Sequence, residues 1–292
     1  MRTRGATRIG RSAAAALAEH IAGLRGSLDE VQRGARVAAA DLVSARPTAV
    51  TLRHGVTAVL RAVLEADDAD DARRRAGEAA TAFAARVDEA RRRVAENGAA
   101  LVEPGSTVLT HCHSSAVVDI LARAQVQGRG PRVFATETRP FQQGLITVRA
   151  LSDHGVAATL IADSAANRVL HEMDVAQVLV GADAVASDGS LFNKIGTSAV
   201  ALAARDAKVP FRSAAASFKF TRDPPSAVRV EERDAAELVR PGDLPDGVEV
   251  LNPVFDRTPP EHVLAYIMED GVLEPAMAVE RALRSLPEVP PW

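Results

Sequence analysis

The sequence has little cysteine and little lysine. Its 292 residues include a single cysteine, Cys112, which excludes an internal disulfide framework and a cysteine-based zinc or iron–sulfur cage within one chain. Of its 35 basic residues only three are lysines, namely Lys194, Lys208 and Lys219. A basic surface of this protein is therefore built almost entirely from arginine.

A strong net charge and long apolar runs are also lacking. The net charge of −3 gives no electrostatic reason to expect a nucleic acid as the main partner. No apolar run approaches the roughly 18–20 residues that span a membrane. The N-terminus is rich in Arg, Ser and Ala in the manner of a targeting peptide, but Glu19 and His20 end its apolar stretch, so we interpret it as part of the mature protein. We expect a cytoplasmic protein with no membrane partner.

The length predicts two domains or one large domain with an appendage, since a domain averages roughly 150 residues. In residues 1–100, apolar side chains recur at three- and four-residue steps, as in Leu17 and Ile21 or Val56 and Leu60, which is a helical period. Pro47 begins a new segment within this part. We therefore predict an N-terminal helical domain over residues 1–100. Its last segment, residues 68–98, predicts one long, charged, exposed helix that stops at Asn97-Gly98.

Residues 101–292 have a different texture. Short β-branched apolar runs alternate there with helical stretches or loops: STVLTHC, RVFATET, VAATLIAD, VAQVLVGAD and VPFRSAAASF. Buried parallel strands have this pattern because helices cover both faces of their sheet. We predict an α/β second domain with a doubly wound parallel sheet. Ligands of such sheets bind at the carboxyl ends of the strands, so the residues that follow each run are the candidates for a site.

The first run leads into Cys112 and two serines. Ser114 or Ser115 can cap the following helix, whose free N–H groups and positive dipole end suit a phosphate. The same field would favour the thiolate of Cys112. The alternative is a buried structural cysteine flanked by His111 and His113. A metal site on these three residues is disfavoured, because adjacent residues of an extended segment point to opposite faces.

Other charged residues follow the later runs. Glu137 and Arg139 serve either as structural support or as phosphate contacts. Asp183 ends the fourth run and either contacts a ligand or caps a loop. Asn193 and Lys194 are expected in a segment that enters a helix. Lys219 lies in the fifth predicted strand between two phenylalanines, where burial of an ammonium is costly unless it meets an anion. The absence of a Walker-type glycine loop and of G-x-G-x-x-G weighs against a kinase and a dinucleotide-dependent dehydrogenase.

The order of these motifs resembles one known family, which contains ribose-1,5-bisphosphate isomerase, methylthioribose-1-phosphate isomerase and the alpha, beta and delta subunits of initiation factor 2B. The resemblance covers nearly the whole chain. It rests on these segments: RGATR at 4–8, RPTAV at 46–50, THCHSSA at 110–116, TETRPFQQG at 136–144, GADAVASDG at 181–189, NKIGT at 193–197 and NPVFDRTPPE at 252–261. The length and the position of Lys219 look closest to the ribose-1,5-bisphosphate isomerases.

The resemblance implies a Rossmann-like second domain that assembles into homodimers or homohexamers. Cys112 matches the cysteine that moves a proton at carbon, and Asp183 matches the catalytic aspartate. The matching substrate-binding positions are Arg4, Gly5, Ala6, Thr7, Arg46, Ser114, Ser115, Asn193, Lys194 and Lys219. Thr7 and Ser115 depart from the pattern, since glycine and lysine are expected there in close archaeal members.

The implied activity is aldose–ketose isomerisation of a phosphorylated pentose, ribose 1,5-bisphosphate to ribulose 1,5-bisphosphate, through an enediolate-type intermediate. It requires no metal and no redox cofactor. Two alternatives stay open, an isomerase of methylthioribose 1-phosphate or another sugar 1-phosphate, and a non-catalytic regulatory subunit that binds sugar phosphate or nucleotide. The resemblance also allows an activator of the AMP type.

Overall fold

The computed structural model describes residues 6–46, 49–240, 242–245 and 247–286. Four helices precede the first strand: α1 (Ala6–Gly23), α2 (Leu28–Ala45), α3 (Val50–Leu64) and α4 (Ala69–Ala99). Leu17, Ile21, Val56 and Leu60 are all fully buried, which confirms the helical period predicted from their spacing. Pro47 falls between α2 and α3 and lies outside the described residues.

Helix α4 differs from the prediction at its end and on one face. Asn97 and Gly98 lie inside the helix, because each contacts the second half of the chain. A Cβ atom on Gly98 would lie 2.4 Å from Cδ1 of Ile120, so only glycine permits this close approach. The Asn97 amide donates to the carbonyl of Met268 at 2.7 Å. The prediction of an exposed helix is also wrong in part, since one face is buried, including Ala72, Ala76, Phe83, Val87, Ala90 and Val94.

After α4, strands first alternate with helices and later follow one another in runs. Their bounds are β1 (Thr107–Thr110), α5 (Ser115–Val126), β2 (Arg132–Thr136), α6 (Gln143–Asp153), β3 (Ala157–Ile161), α7 (Ala166–Glu172), β4 (Val175–Val180), β5 (Ala184–Val185), β6 (Leu191–Lys194), α8 (Thr197–Asp206), β7 (Phe211–Ala214), β8 (Phe255–Thr258), β9 (Ala265–Met268), β10 (Gly271–Leu273) and α9 (Pro275–Ser285).

The main sheet has the order β10-β9-β7-β4-β1-β2-β3, and every neighbouring pair is parallel except β9 and β10. The parallel strands thus follow the Rossmann-like order, and the predicted doubly wound sheet is confirmed. All five apolar runs form strands of this sheet. A second sheet, β5-β6-β8, is antiparallel and lies outside the prediction.

One apolar core joins the helices to the sheet. The cluster that contains Leu17 and Val87 continues through Ile120 of α5 to Val108 of β1 and Ile267 of β9. The N-terminal helices therefore share one core with the sheet, which α4 contacts at β9 and β10. The division into domains 1–100 and 101–292 stays a prediction. Within the described segments, no helix combines the length and the apolar character that crossing a membrane requires.

Candidate active site

Cys112 and Asp183 follow two neighbouring strands at the point where the strand order reverses. β1 pairs with β2 on one side and with β4 on the other, so Cys112 after β1 and Asp183 after β4 flank the same crevice. In open α/β sheets, ligands bind in the crevice at this switch point. The two residues that the sequence singles out for catalysis are therefore placed where the fold binds ligands.

The backbone of Cys112 is held in an unusual conformation. Its φ of 70° lies in the left-handed region, which is strained for a residue with a Cβ atom. The Cys112 N–H donates to Oγ1 of Thr138 at 2.9 Å, and its carbonyl accepts from Oγ1 of Thr147 at 3.0 Å. The thiol donates to Oε1 of Gln143 at 3.3 Å. These bonds fix the direction of the thiol. Gln143 is not among the predicted site residues, because it stands 31 residues after Cys112 in the sequence.

Burial controls the acidity of Cys112. It raises the pKa of the thiol to about 12, and the positive charge of Lys194 opposes this effect only in part. Cys112 is thus a neutral thiol at pH 7, and the expectation that the end of α5 favours the thiolate is wrong for this structure. The helix end itself is as predicted, since Oγ of Ser114 accepts from the N–H of Val117. Ser115 is the first residue of α5 and is exposed.

Asp183 lies among basic side chains. Burial raises the pKa of its carboxyl group, and the charges of Lys219, Lys194 and Arg46 act in the opposite direction. Its backbone N–H donates to the carbonyl of Phe192 at 3.0 Å, which ties it to β6. The structure therefore brings Asp183 together with three of the predicted substrate-binding residues.

Lys194 projects from β6 and lies between two aromatic rings. Its Nζ is 5.3 Å from the ring centre of Phe141 and 5.0 Å from that of Phe255, distances at which a cation is attracted to a ring face. The preceding Asn193 donates to Oγ1 of Thr197 at 3.0 Å. Both residues lie in β6, a strand of the second sheet, and the segment then enters α8 at Thr197, as predicted.

The turn between β6 and α8 is fixed from two directions. His111 donates through Nε2 to the carbonyl of Ile195 at 2.8 Å, and its Nδ1 forms a hydrogen bond with Oγ1 of Thr136 at 2.7 Å. Gly196, with φ of 100°, lies so close to the His111 ring that a Cβ atom would be 2.9 Å from Cε1. From the other direction, Asp256 accepts from the N–H of Gly196 at 2.7 Å.

Asp256 caps α8 from another strand, since it also accepts from the N–H of Ser198 at 3.2 Å. Burial raises the pKa of Asp256 to about 6, and its two backbone donors act against that rise. Sequence reasoning assigned no role to Asp256. The available signal was its position inside the segment 252–261 that carries the resemblance.

Lys219 lies in a 3₁₀ turn, Ser217–Lys219, that follows β7, and not in the predicted strand. Its side chain is buried, and burial lowers the pKa of the ammonium while Asp183 opposes that change. The expectation that Lys219 is buried near an anionic group is therefore met by Asp183.

The remaining predicted residues lie at the ends of two N-terminal helices or outside the described residues. Arg46 follows α2, with its Nε 3.7 Å from a carboxylate oxygen of Glu231. Ala6 and Thr7 form the first turn of α1. Arg4 and Gly5 lie outside the described residues. Across the described ranges, no group of three or more His, Cys, Asp or Glu residues has the geometry of a metal site.

The loop after β2 supports the site through its backbone. The N–H groups of Thr138 and Arg139 donate to the two carboxylate oxygens of Asp163, at 2.7 Å and 2.8 Å. The Arg139 guanidinium donates to the carbonyl of Leu238 at 3.2 Å. Of the two interpretations left open for Arg139, these contacts agree with structural support.

Comparison with known proteins gives consistent likenesses over nearly the whole chain. A ribose 1,5-bisphosphate isomerase of Archaeoglobus fulgidus is 39% identical over 280 residues, covering 95% of this chain and 88% of that protein. The translation initiation factor eIF-2B of Pyrococcus horikoshii OT3 superposes with a TM-score of 0.82 at 26% identity, covering 96% and 94% of the two chains. The 5-methylthioribose 1-phosphate isomerase of the same organism superposes with a TM-score of 0.80 at 29% identity, covering 97% and 85%.

These likenesses confirm the predicted isomerase class and the Rossmann-like fold. The sequence of the A. fulgidus protein resembles this chain across both the helical part and the sheet, so the likeness is not confined to one motif. A family model described as the initiation factor 2 subunit family matches residues 2–275. The chain therefore belongs to the initiation factor 2 subunit family.

Proposed function

We propose that this chain is an aldose–ketose isomerase that converts ribose 1,5-bisphosphate to ribulose 1,5-bisphosphate. The observation that carries the proposal is the juxtaposition of Cys112 and Asp183 across the switch point, with Lys194 in electrostatic reach of both. The likeness to a ribose 1,5-bisphosphate isomerase supports the choice of substrate.

The reaction moves hydrogen without net oxidation. A proton leaves C2, the C1–O4 bond of the ring breaks, a proton arrives at C1, and the proton of the C2 hydroxyl group passes to O4, so C1 is reduced as C2 is oxidised. One acid and one base on the reacting carbons are sufficient, and each contributes roughly 10²–10⁴-fold in rate. We assign these roles to Cys112 and Asp183. Because the anomeric carbon carries a phosphate, the intermediate is a phosphate-bearing enediolate.

The acidity of Cys112 decides where its proton lies at rest. Burial raises the pKa of both groups, to about 12 for Cys112, so the thiol holds its proton at pH 7. Transfer of that proton to Asp183 produces the thiolate base and the carboxylic acid together.

Buried cations stabilise the charge that develops on the sugar. Lys194, Lys219 and Arg46 all act on Asp183, so their charges converge on the crevice. Preorganised charge of this kind is often the largest contribution to catalysis. A bisphosphate needs a cation near its C5 end as well, and Lys219 or Arg46 fills that role in the proposal. A methylthio group would instead need an apolar pocket at that end.

The test is a proton-NMR assay in D₂O on the purified protein with three separate sugars: ribose 1,5-bisphosphate, 5-methylthioribose 1-phosphate and ribose 1-phosphate. We expect ribulose 1,5-bisphosphate from the first and no ketose from the other two. The signal at C1 shows whether the arriving hydrogen comes from solvent. Turnover of the methylthio sugar in preference to the bisphosphate would overturn the substrate assignment.

The structural likeness to a translation initiation factor keeps a second candidate in view, a regulatory subunit that binds sugar phosphate or nucleotide. Binding of AMP with no turnover of any of the three sugars would favour it. Stimulation of turnover by AMP would instead support the proposed activator. Sedimentation of the same sample tests the proposed homodimer or homohexamer.

A further inference from the structure

The 3₁₀ turn that carries Lys219 is held by side chains of the N-terminal helices. We call residues 217–220 the Lys219 turn. Oγ1 of Thr51 donates to the carbonyl of Phe218 at 3.3 Å, and Nε2 of His54 lies 2.9 Å from the carbonyl of Phe220. A carbonyl only accepts, so Nε2 is the donor. Helix α3 thus binds the carbonyl groups on both sides of Lys219.

The same helix turn also anchors the chain beyond the Lys219 turn. Arg53 donates to a carboxylate oxygen of Asp223 at 2.6 Å, three residues after Phe220. Helix α1 in turn fixes the position of α3, since a Cβ atom on Gly10 would lie 2.6 Å from Cγ2 of Thr51. The donors on α3 therefore have little freedom to move relative to the carbonyls that they bind.

The beginning of the Lys219 turn is held by the residue that follows β9, the strand parallel to β7. The carboxylate of Glu269, in the turn between β9 and β10, accepts from the N–H of Ser217 at 3.0 Å and from its hydroxyl group. Asn97 of α4 donates to the carbonyls of Met268 and Glu269, at 2.7 Å and 3.3 Å. Two N-terminal helices thus reach the Lys219 turn, one directly and one through Glu269.

These contacts matter because a lysine side chain is flexible. The Lys219 ammonium is buried beside Asp183, yet its turn has only short local bonds of its own, such as Lys219 N–H to the carbonyl of Ala216 at 2.9 Å. Because the four-carbon stem of a lysine is flexible, the region that its ammonium can reach depends on where the backbone places the residue. A displacement of 1 Å at a reacting group can lower the rate by roughly 10²-fold.

We propose that Thr51 and His54 are positioning residues, which fix the Lys219 turn so that its ammonium faces Asp183 and the substrate. The proposal rests on the proposed function, because it assigns Lys219 to the substrate. It also gives the N-terminal helices a part in the reaction beyond packing.

The composition of the chain provides a direct probe. Since the sequence has only three lysines, protein labelled with ¹³C at lysine Cε gives three signals, which Lys194→Arg, Lys208→Arg and Lys219→Arg assign. We expect His54→Leu to shift the Lys219 signal and to leave that of the exposed Lys208 unchanged. His54→Gln keeps a donor and is expected to restore the wild-type signal. An unchanged Lys219 signal in folded His54→Leu overturns the proposal.

Kinetics in two backgrounds separate positioning from general destabilisation. We expect His54→Leu to lower kcat/KM for ribose 1,5-bisphosphate by about 10–10²-fold, and to have no further effect when Lys219 is already methionine. An equal loss in both backgrounds would mean that His54 acts through the fold alone. Thr51→Val, which removes one donor at similar volume, provides the same two measurements if His54→Leu does not fold.

The NMR measurement and the kinetic measurement together also separate this proposal from the proposed function. If the wild-type protein turns over none of the sugars, the proposed function fails, and the NMR signal of Lys219 still decides whether His54 fixes its position. If turnover is normal and His54→Leu shifts neither signal nor rate, only the positioning role fails.

Discussion

The lysines of the crevice and the arginines of α4 carry the same charge in opposite settings. Lys194 and Lys219 are only 7% and 9% exposed, and both act on Asp183. The Arg92 side chain is 52% exposed and pairs with Glu89 and Glu96 on its own helix. Exposed pairs of this kind contribute about 0–1 kcal/mol each, whereas a buried ammonium is costly unless an anion meets it.

This difference indicates which basic residues are candidates for a function. The sequence shows 35 basic residues, and most of the conspicuous arginine clusters lie in α4. The three lysines are less conspicuous, but two of them are buried at the crevice and Lys208 is exposed. Burial, which only the fold decides, separates the two groups.

The largest expected effect concerns the acidity of the crevice. Alkylation by iodoacetamide follows the thiolate fraction, and Cys112 is the sole cysteine of the chain. Because the pKa of the folded protein is raised to about 12, we expect alkylation at pH 8.5 to be roughly 10³-fold slower than in urea, where the pKa is about 8.5. The alkylation rate of the folded protein should still increase as the pH rises above 8.5. A plateau near pH 8.5 in the folded protein would show that burial does not control the thiol.

The next largest effect is expected on the activity of lysine variants, where buried Lys219 is compared with exposed Lys208. We expect Lys219→Met to lower kcat/KM by roughly 10²–10³-fold, because one preorganised charge at the reacting sugar is lost. Lys208→Met is the matched control and should leave kcat/KM unchanged. Equal losses in both variants would show that the buried position of Lys219 carries no function.

A smaller effect is expected where α4 packs on α5. We expect Gly98→Leu to lower the free energy of unfolding by about 1–3 kcal/mol, because the new side chain must displace Ile120. Gly77→Ala, in the same helix but with no atom near the added Cβ, should raise it by about 0.4–1 kcal/mol. Urea unfolding measures both, and a neutral Gly98→Leu would contradict the close approach.

The smallest effect is expected on the exposed face of α4. Arg92→Ala should leave the urea midpoint of unfolding almost unchanged, because the two pairs that it makes are exposed to solvent. Urea unfolding and the isomerase assay test this on the same sample. A loss of activity in this variant would assign α4 a role that its surface pairs do not show.

The sequence predicts the main sheet well because its strands are buried apolar runs. It predicts the place of Cys112 and Asp183 for the same reason, since each stands at the end of such a run. The strand Leu191–Lys194 is not predicted, because half of its residues are polar and it is not an apolar run. The prediction places Lys219 in a strand because no proline or glycine follows Phe211 in the run VPFRSAAASF to mark the end of β7 at Ala214.

Other misses come from contacts between distant segments. Asn97 and Gly98 have the local character of a helix end, but their contacts with Met268 and Ile120 keep them inside α4. The thiol of Cys112 has a helix end beside it, yet the surrounding protein determines its pKa through burial. Gln143 becomes visible as a thiol partner only when α6 is placed next to β1.

In the proposed mechanism, Cys112 and Asp183 move the protons of the isomerisation. ³¹P-NMR assays of ribose 1,5-bisphosphate test this with the wild type, Cys112→Ser, Asp183→Asn and, as a control at an exposed aspartate, Asp206→Asn. We predict that the wild type and Asp206→Asn form ribulose 1,5-bisphosphate at the same rate, and that the other two variants are slower by roughly 10²–10⁴-fold. Unchanged turnover in both Cys112→Ser and Asp183→Asn would contradict the account.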